Sequence, residues 1–257
     1  VGKTKIAWTD YTFNPWWGCA KVSPGCAHCY AETLARRFGC DVWGARPRRL
    51  FGDAHWREPL KWNRDAEQAG ERRRVFAGSM CDVFEQAKRS DGLDAERARL
   101  FALIRLTPHL DWLLLTKRAE NIAAMLPADW GAGYANVWLG VSAENQPAAD
   151  ERIPLLMRVP ARVRFVSCEP LIEYVDLKLG AYRDQPNSRA EWIHWVIVGG
   201  ESGPNYRAMD LDWARSLRGQ CARTGVAFFF KQESGARPGT NPMLDGVEHH
   251  QFPNVER

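Results

Sequence analysis

The longest apolar runs of this 257-residue chain fall well short of the roughly 20 residues that a membrane-spanning helix needs, and no signal peptide is expected at its start. Its seven cysteines are an odd number, which argues against a fully paired disulfide scaffold. A reducing cytoplasm, with no membrane, is the expected setting. No internal repeat is visible, which excludes a solenoid of one recurring unit. The net charge of +4 is too small to name a partner by itself. What is missing most tellingly is a second Cys or His pair at a spacing similar to that of Cys26 and Cys29.

Cys19, Cys26 and Cys29 lie within eleven residues, in the run Trp-Trp-Gly-Cys-Ala-Lys-Val-Ser-Pro-Gly-Cys-Ala-His-Cys-Tyr. Soft thiolates select zinc or the iron of iron–sulfur clusters, so the number of available ligands decides between them. A structural zinc site closes with four, usually through a second Cys or His pair. Here Cys40, Cys81, Cys168 and Cys221 are single and far apart, although Cys40 or His28 could complete a closed site. A three-thiolate [4Fe-4S] site gains from the missing ligand, because the bare iron can hold the amino and carboxylate groups of S-adenosylmethionine. The local pattern favours the cluster, with zinc as the alternative and a disulfide third.

The chain is long enough to bury a large core in one barrel or doubly wound domain. Most of its twelve tryptophans are expected in core or rim packing, while the excess hints at stacking surfaces. Between Arg36 and Arg74 stand eleven Lys or Arg against six acids, together with Trp43, Phe51, Trp56 and Trp62. Cations interleaved with flat rings suit phosphates and bases; a solvated basic loop is the competing reading.

Short β-rich apolar runs alternate with helical stretches, the pattern of repeated βα units around a parallel sheet. Strands are expected at Arg74–Gly78, Trp112–Thr116, Val137–Ser142, Val163–Ser167, Trp192–Val198 and Val226–Phe230, with a further one near Lys5–Phe13. Near-continuous hydrophobicity predicts burial on both faces. Helices are expected over Ala31–Phe38, over Asp94–Leu106 with Ala98, Phe101, Ala102 and Arg105 on related faces, and over Asp210–Arg223 between an Asp210 cap and Gly225. Arg183–Arg189 reads as a surface loop. The chain divides into one barrel domain over 1–234, with the basic Trp-bearing insertion at about 36–74, and a partly ordered tail over 235–257. Polar residues follow six of the apolar runs: Gly78 to Asp82, Thr116 to Arg118, Ser142 to Asn145, Ser167 to Pro170, Gly199 to Gly203 and Lys231 to Glu233. In parallel β/α barrels every strand delivers its next residues to one mouth, where chemistry collects.

The cysteine run, with Tyr30 and Ala-Glu directly after the last thiol, resembles the radical S-adenosylmethionine (SAM) superfamily. From Thr-Lys-Ile-Ala-Trp-Thr-Asp through Leu-Leu-Thr-Lys-Arg, Trp-Leu-Gly-Val-Ser and Cys-Glu-Pro-Leu to Val-Gly-Gly-Glu-Ser-Gly-Pro, the chain is similar to a phage and prophage three-cysteine-motif family of unassigned function. Its motif order is similar to the spore photoproduct lyase branch, which repairs DNA by radical chemistry. The resemblance implies an α/β fold, a partial TIM-like parallel barrel of about six βα units, with a [4Fe-4S] cluster on Cys19, Cys26 and Cys29 in the loop after the first strand. Two features depart from the superfamily. Six residues instead of three separate Cys19 from Cys26, and the glycine-rich look-alike Gly199-Gly200-Glu201 comes several strands late.

The resemblance assigns the methionine end of SAM to Gly78, Ser79 and Asp82. Lys117 is expected to pair with a carboxylate or phosphate, Ser142 and Asn145 to hydrogen-bond ribose or methionine, and Glu169 to accept from a ribose hydroxyl or amine. Backbone N–H groups from Gly199 to Gly203 are expected to face an anion. Cys81 and Cys168 are candidate hydrogen-atom donors, with a small buried hydrophobe as the competing reading for each. The implied partners are nucleic acid, DNA foremost, as substrate and a reductant such as flavodoxin or ferredoxin. The rival readings are a non-catalytic zinc-stabilised nucleic-acid binder and a radical enzyme on a nucleotide or peptide.

Overall fold

A computed structural model describes residues 4–86, 92–183 and 192–255. In chain order its elements are β1 (Tyr11–Phe13), β2 (Trp16–Trp17), α1 (Tyr30–Arg37), β3 (Arg49–Leu50), α2 (Asp53–Trp56), α3 (Glu58–Gln68), β4 (Arg73–Ala77), α4 (Leu93–Arg105), β5 (Leu110–Thr116), α5 (Ala119–Met125), β6 (Val137–Ser142), α6 (Gln146–Met157), β7 (Val163–Cys168), α7 (Leu179–Arg183), β8 (Trp195–Gly199), α8 (Leu211–Thr224), β9 (Ala227–Gln232), β10 (Met243–Leu244) and β11 (Val247–Glu248). Seven strands form one parallel sheet in the order β1-β4-β5-β6-β7-β8-β9, each beside its successor along the chain. Sequential order with helical crossovers gives the parallel half-barrel that the βα alternation predicts.

Alternation along each strand separates two cores. Val75, Trp112, Leu114, Val141, Val166, Val198 and Phe230 face outward, where α3, α4, α5, α6 and α8 cover them. Phe76, Leu113, Trp138, Phe165, Trp195, Ile197 and Phe229 face inward, and Trp8 joins them. Gly140 makes that interior possible: a Cβ there would lie 2.4 Å from the Phe165 ring.

The helices follow local signals. Asp210 Oδ1 accepts from Asp212 N at the start of α8, and left-handed Gly225 ends it. α4 buries Leu93, Arg97, Leu100, Phe101 and Ile104, so its inward face is turned from the expected one and leaves Ala98 and Arg105 exposed. The first strand is shorter than its apolar run, because Thr9 N turns back to Ile6 O and Trp8 swings into the interior. The expected loop at Arg183–Arg189 lies, beyond Arg183, outside the described residues.

From Gly235 onward, where composition predicts a partly ordered tail, the chain instead returns to the sheet. Gln251 N donates to Phe228 O and Phe230 N to His249 O, while Trp195 Nε1 donates to Gln251 O at 2.9 Å. Phe252 packs on Trp195 and Phe229 beneath the Arg74 guanidinium.

Gly140→Ala tests the interior packing. We expect a loss of about 1–3 kcal/mol in a urea melt, because the added methyl must displace a fully buried ring.

Candidate functional site

The carboxyl ends of the strands border a single cavity of about 190 Å³, closed on its far side by the cysteine loop. Gly78, Ser79, Asp82, Lys117, Ser142, Ser167, Glu169, Gly200, Glu201 and Lys231 come from the strand ends; Cys19, Cys26, His28, Cys29 and Tyr30 come from the loop. Ile6, Trp8, Phe76 and Leu115 make an apolar floor continuous with the interior core.

Three buried carboxylates brace the loop from three directions. Glu85 accepts from Ala20 N at 3.0 Å and forks with Arg48 through Nε and Nη2, fixing the segment beside Cys19. Glu144 accepts from the Ser23 hydroxyl and sits so close to Gly25 that a Cβ there would lie 2.7 Å from Glu144 Cγ. Glu201 meets His28 Nδ1 at 2.9 Å and takes Arg207, whose Nη1 donates to Pro24 O at 3.1 Å. Gly18 completes the approach: its φ is +114°, and a Cβ would lie 2.2 Å from Val42 O.

The charges follow from this bracing. Burial alone would raise the Glu144 carboxyl, yet Lys117, Arg152 and the Ser23 hydroxyl overcome it and hold it at about 2. Glu201 is likewise held at about 2, because hydrogen bonds from Arg207 and His28 outweigh the burial that would raise it. Burial and Asp82 push the Cys19 thiol to about 12 against the pull of Arg118, whose Nη1 stands 3.5 Å from Sγ. Burial also raises Cys29, partly countered by backbone N–H groups of Glu32 and Ala31. Such thiols ionise only against a compensating positive charge.

Cys19, Cys26 and Cys29 are free thiols on one cavity, and Tyr30 donates from its hydroxyl to Ser79 O at 2.9 Å. Cys81 also borders the cavity, its thiol raised by burial. Ser142 and Glu169 line it as well, Glu169 paired with Lys231. Cys40 stands elsewhere, in contact with Arg49. Among the described residues no three His, Cys, Asp or Glu side chains gather as one ion requires.

Several expectations need correction. Cys168 is fully buried on the outward, helix-covered face, because the strand parity that points Ser167 inward points its neighbour away. Asn145 caps α6 by accepting from Ala148 N and is not in the cavity lining. Gly199 is also absent from that lining, and the N–H groups of Gly200 and Gly203 already donate to Gln232 O and Gly235 O. Asp82 is saturated: Thr116 Oγ1, Phe84 N, Lys117 N and Arg118 occupy both oxygens, so it orients Arg118 rather than meeting a ligand. Trp56 and Trp62 are buried in the core, which removes them as stacking surfaces, and Trp43 is buried where it borders the cavity. The loop-bracing residues Glu85, Glu144, Arg118 and Arg207, and the cavity residue Lys231, escaped the sequence reading. Only their positions after apolar runs marked Glu144, Arg118 and Lys231.

Residues 3–253 match the model of a family described as a protein of unknown function (DUF5131). The chain belongs to that family. No curated protein and no solved structure matches it. In this DUF5131 chain the likeness to radical SAM enzymes and to spore photoproduct lyase rests on the motifs alone. Among its described residues no helix is long and apolar enough to cross a membrane.

The lowered Glu144 carboxyl fixes a pH dependence for this DUF5131 protein. A carboxyl depressed by folding contributes stability above its unfolded value, near 4.5, that is lost as pH falls toward about 2. Urea midpoints across that window should fall steeply for the wild type and less so for Glu144→Gln. At neutral pH the substitution should cost about 3 kcal/mol, since it leaves Arg152 buried without its counter-charge.

Proposed function

We propose that this DUF5131 chain is a radical SAM-type iron–sulfur enzyme acting on nucleic acid, in base modification or lesion repair. The observation that carries the reading is three free thiols on one braced loop, facing the strand ends of a parallel half-barrel across a single cavity. Donors spread along a cavity wall suit a multi-iron cluster, whose ligands stand at separate corners, better than one tetrahedral ion. Cys40, one of the two groups able to close a fourth corner, is outside the cavity.

Cys19, Cys26 and Cys29 would hold the cluster. Bound together with S-adenosylmethionine and reduced by a donor such as flavodoxin or ferredoxin, it would supply one-electron cleavage of the sulfonium, the chemistry that takes hydrogen from an unactivated carbon. The chain's own groups bind and orient. Arg118, fixed by Asp82 and Ala20 O, places its positive charge beside the Cys19 sulfur and favours the thiolate. Ser142, Ser167, Glu169 and Lys231 offer hydrogen bonds and charge along the opposite arc. Trp8 contributes its ring to the floor, and its indole N–H is buried without a protein partner. The apolar floor excludes water from below.

A second reading has one specific support. The His28 Nδ1 contact with Glu201 leaves Nε2 available, as in a metal-bound histidine with a carboxylate behind it, and with three thiols that would close a zinc site.

Anaerobic reconstitution separates the two. The iron–sulfur reading expects about four iron and four sulfide per chain with a broad band near ~400 nm, lost in Cys19→Ser, Cys26→Ser and Cys29→Ser but kept in Cys40→Ser and His28→Ala. It also expects 5′-deoxyadenosine on incubation with S-adenosylmethionine and dithionite. One zinc per chain, no colour and loss of metal in His28→Ala would replace it with the zinc-stabilised binder.

A further inference from the structure

The buried tryptophans of the basic segment leave a different set of rings at the surface. Along α1 and at its C-cap, Tyr30, Leu34 and Phe38 recur every four residues and are 45%, 37% and 64% exposed. Tyr30 borders the cavity, so this stripe runs from the cavity rim outward for about 12 Å at the helical rise. Beyond it, Phe38 contacts Trp17, with ring centroids 6.0 Å apart, and Trp17 contacts Phe51 at 5.9 Å. The Arg49 guanidinium lies over both, 5.2 Å from the Trp17 centroid and 5.4 Å from that of Phe51. Leu50 beside it is exposed.

The charges around these rings are sorted. Glu32 is taken by Lys21 and Arg36, Asp41 by Arg46, and Asp53 by Arg99. Exposed Arg37 and Arg49 have no carboxylate partner among the described residues. The surface therefore presents flat rings with uncompensated cations and neutralised acids. An apolar protein partner would have to bury those cations unpaired, which is costly. A polyanion with planar groups satisfies both features at once.

We propose that the outer face of α1 and the β2–β3 ribbon form a platform for single-stranded nucleic acid. Bases stack on Phe38 and the Trp17 and Phe51 edge, and phosphates lie against Arg37 and Arg49. Unpaired bases are required, since a duplex keeps its π-faces stacked inside. The continuity of the stripe with Tyr30 directs the strand toward the cavity; that it is processed there rests on the function proposed above, whereas its binding does not.

The test is fluorescence anisotropy of the full chain with short labelled oligothymidylate and oligouridylate across a salt series. Binding should weaken as salt rises, and Phe38→Ala and Arg49→Glu should each lower affinity roughly tenfold. Arg49→Glu should also flatten the log-log salt slope by roughly 0.7 for each phosphate that the chain no longer neutralises. Leu106→Ala, at an exposed residue near the opposite end of the sheet, should bind as the wild type does. Equal melting temperatures and equal reconstituted iron in the variants show that the fold and the cavity are intact. No binding at low salt, wild-type affinity in both variants, or a preference for duplex would overturn the platform. Binding that behaves as expected in a protein without iron or 5′-deoxyadenosine formation would leave the platform standing and remove the radical chemistry.

Discussion

The cysteine loop depends on buried carboxylates. Between β2 and α1 the chain has only one short 3-10 turn, Pro24–Cys26, so regular backbone pairing does not hold it. Glu144 and Glu201 take that role from the ends of β6 and β8, and Glu85 from the loop that follows β4, each nearly or fully buried and each carrying an arginine. Buried ion pairs are weak contributors to net stability, because desolvation offsets most of their attraction. Their value here is positional: each carboxylate presents one oxygen or its arginine to a fixed point on the loop, and a strand end cannot move without moving the sheet. These three acids are thus occupied in holding the thiols still.

The same sheet makes the cavity one-sided. Trp8, Trp138, Phe165, Trp195 and Phe229 fill its concave face, and Phe252 returns to pack against them. Filling the interior with rings leaves space only where the strands end, as side chains shorten from Phe76 to Gly78 and from Phe165 to Ser167. A small chamber with polar strand-end residues at its rim and an apolar floor follows from that taper. It strengthens electrostatics within the chamber, because the surrounding dielectric is low.

Much of this was legible in the sequence where one physical rule dominates. Strands buried on both faces are largely apolar, so the runs expected to end at Ser142 and Ser167 announce themselves, and parallel order carries their ends to one mouth. Roles were less legible. Ser167 and Cys168 differ by one position, and only the parity set by Val163 and Phe165 tells which faces inward. Trp56 and Trp62 sit among cations, yet α2 and α3 turn the rings to the core and the charges outward. Asp82 and Glu144 were legible as strand-end acids, but their saturation depends on Arg118 and Arg152, which reach them from other elements. Composition carries no trace of such pairing.

The wide spacing between Cys19 and Cys26 takes on a meaning in this light. Six residues lie between them, and most of those six are engaged: Ala20 with Glu85 and Arg118, Lys21 with Ala27 O and Glu32, Ser23 with Glu144, Pro24 with Arg207, and Gly25 against the Glu144 side chain. A longer excursion costs loop entropy, which grows only slowly with length and is offset once each added residue has an anchor. The excursion also returns to its origin, since Cys26 borders the same cavity as Cys19 and Cys29. Extra length here adds attachment points without separating the sulfurs onto different surfaces, so the six-residue spacing is set by how the loop is held.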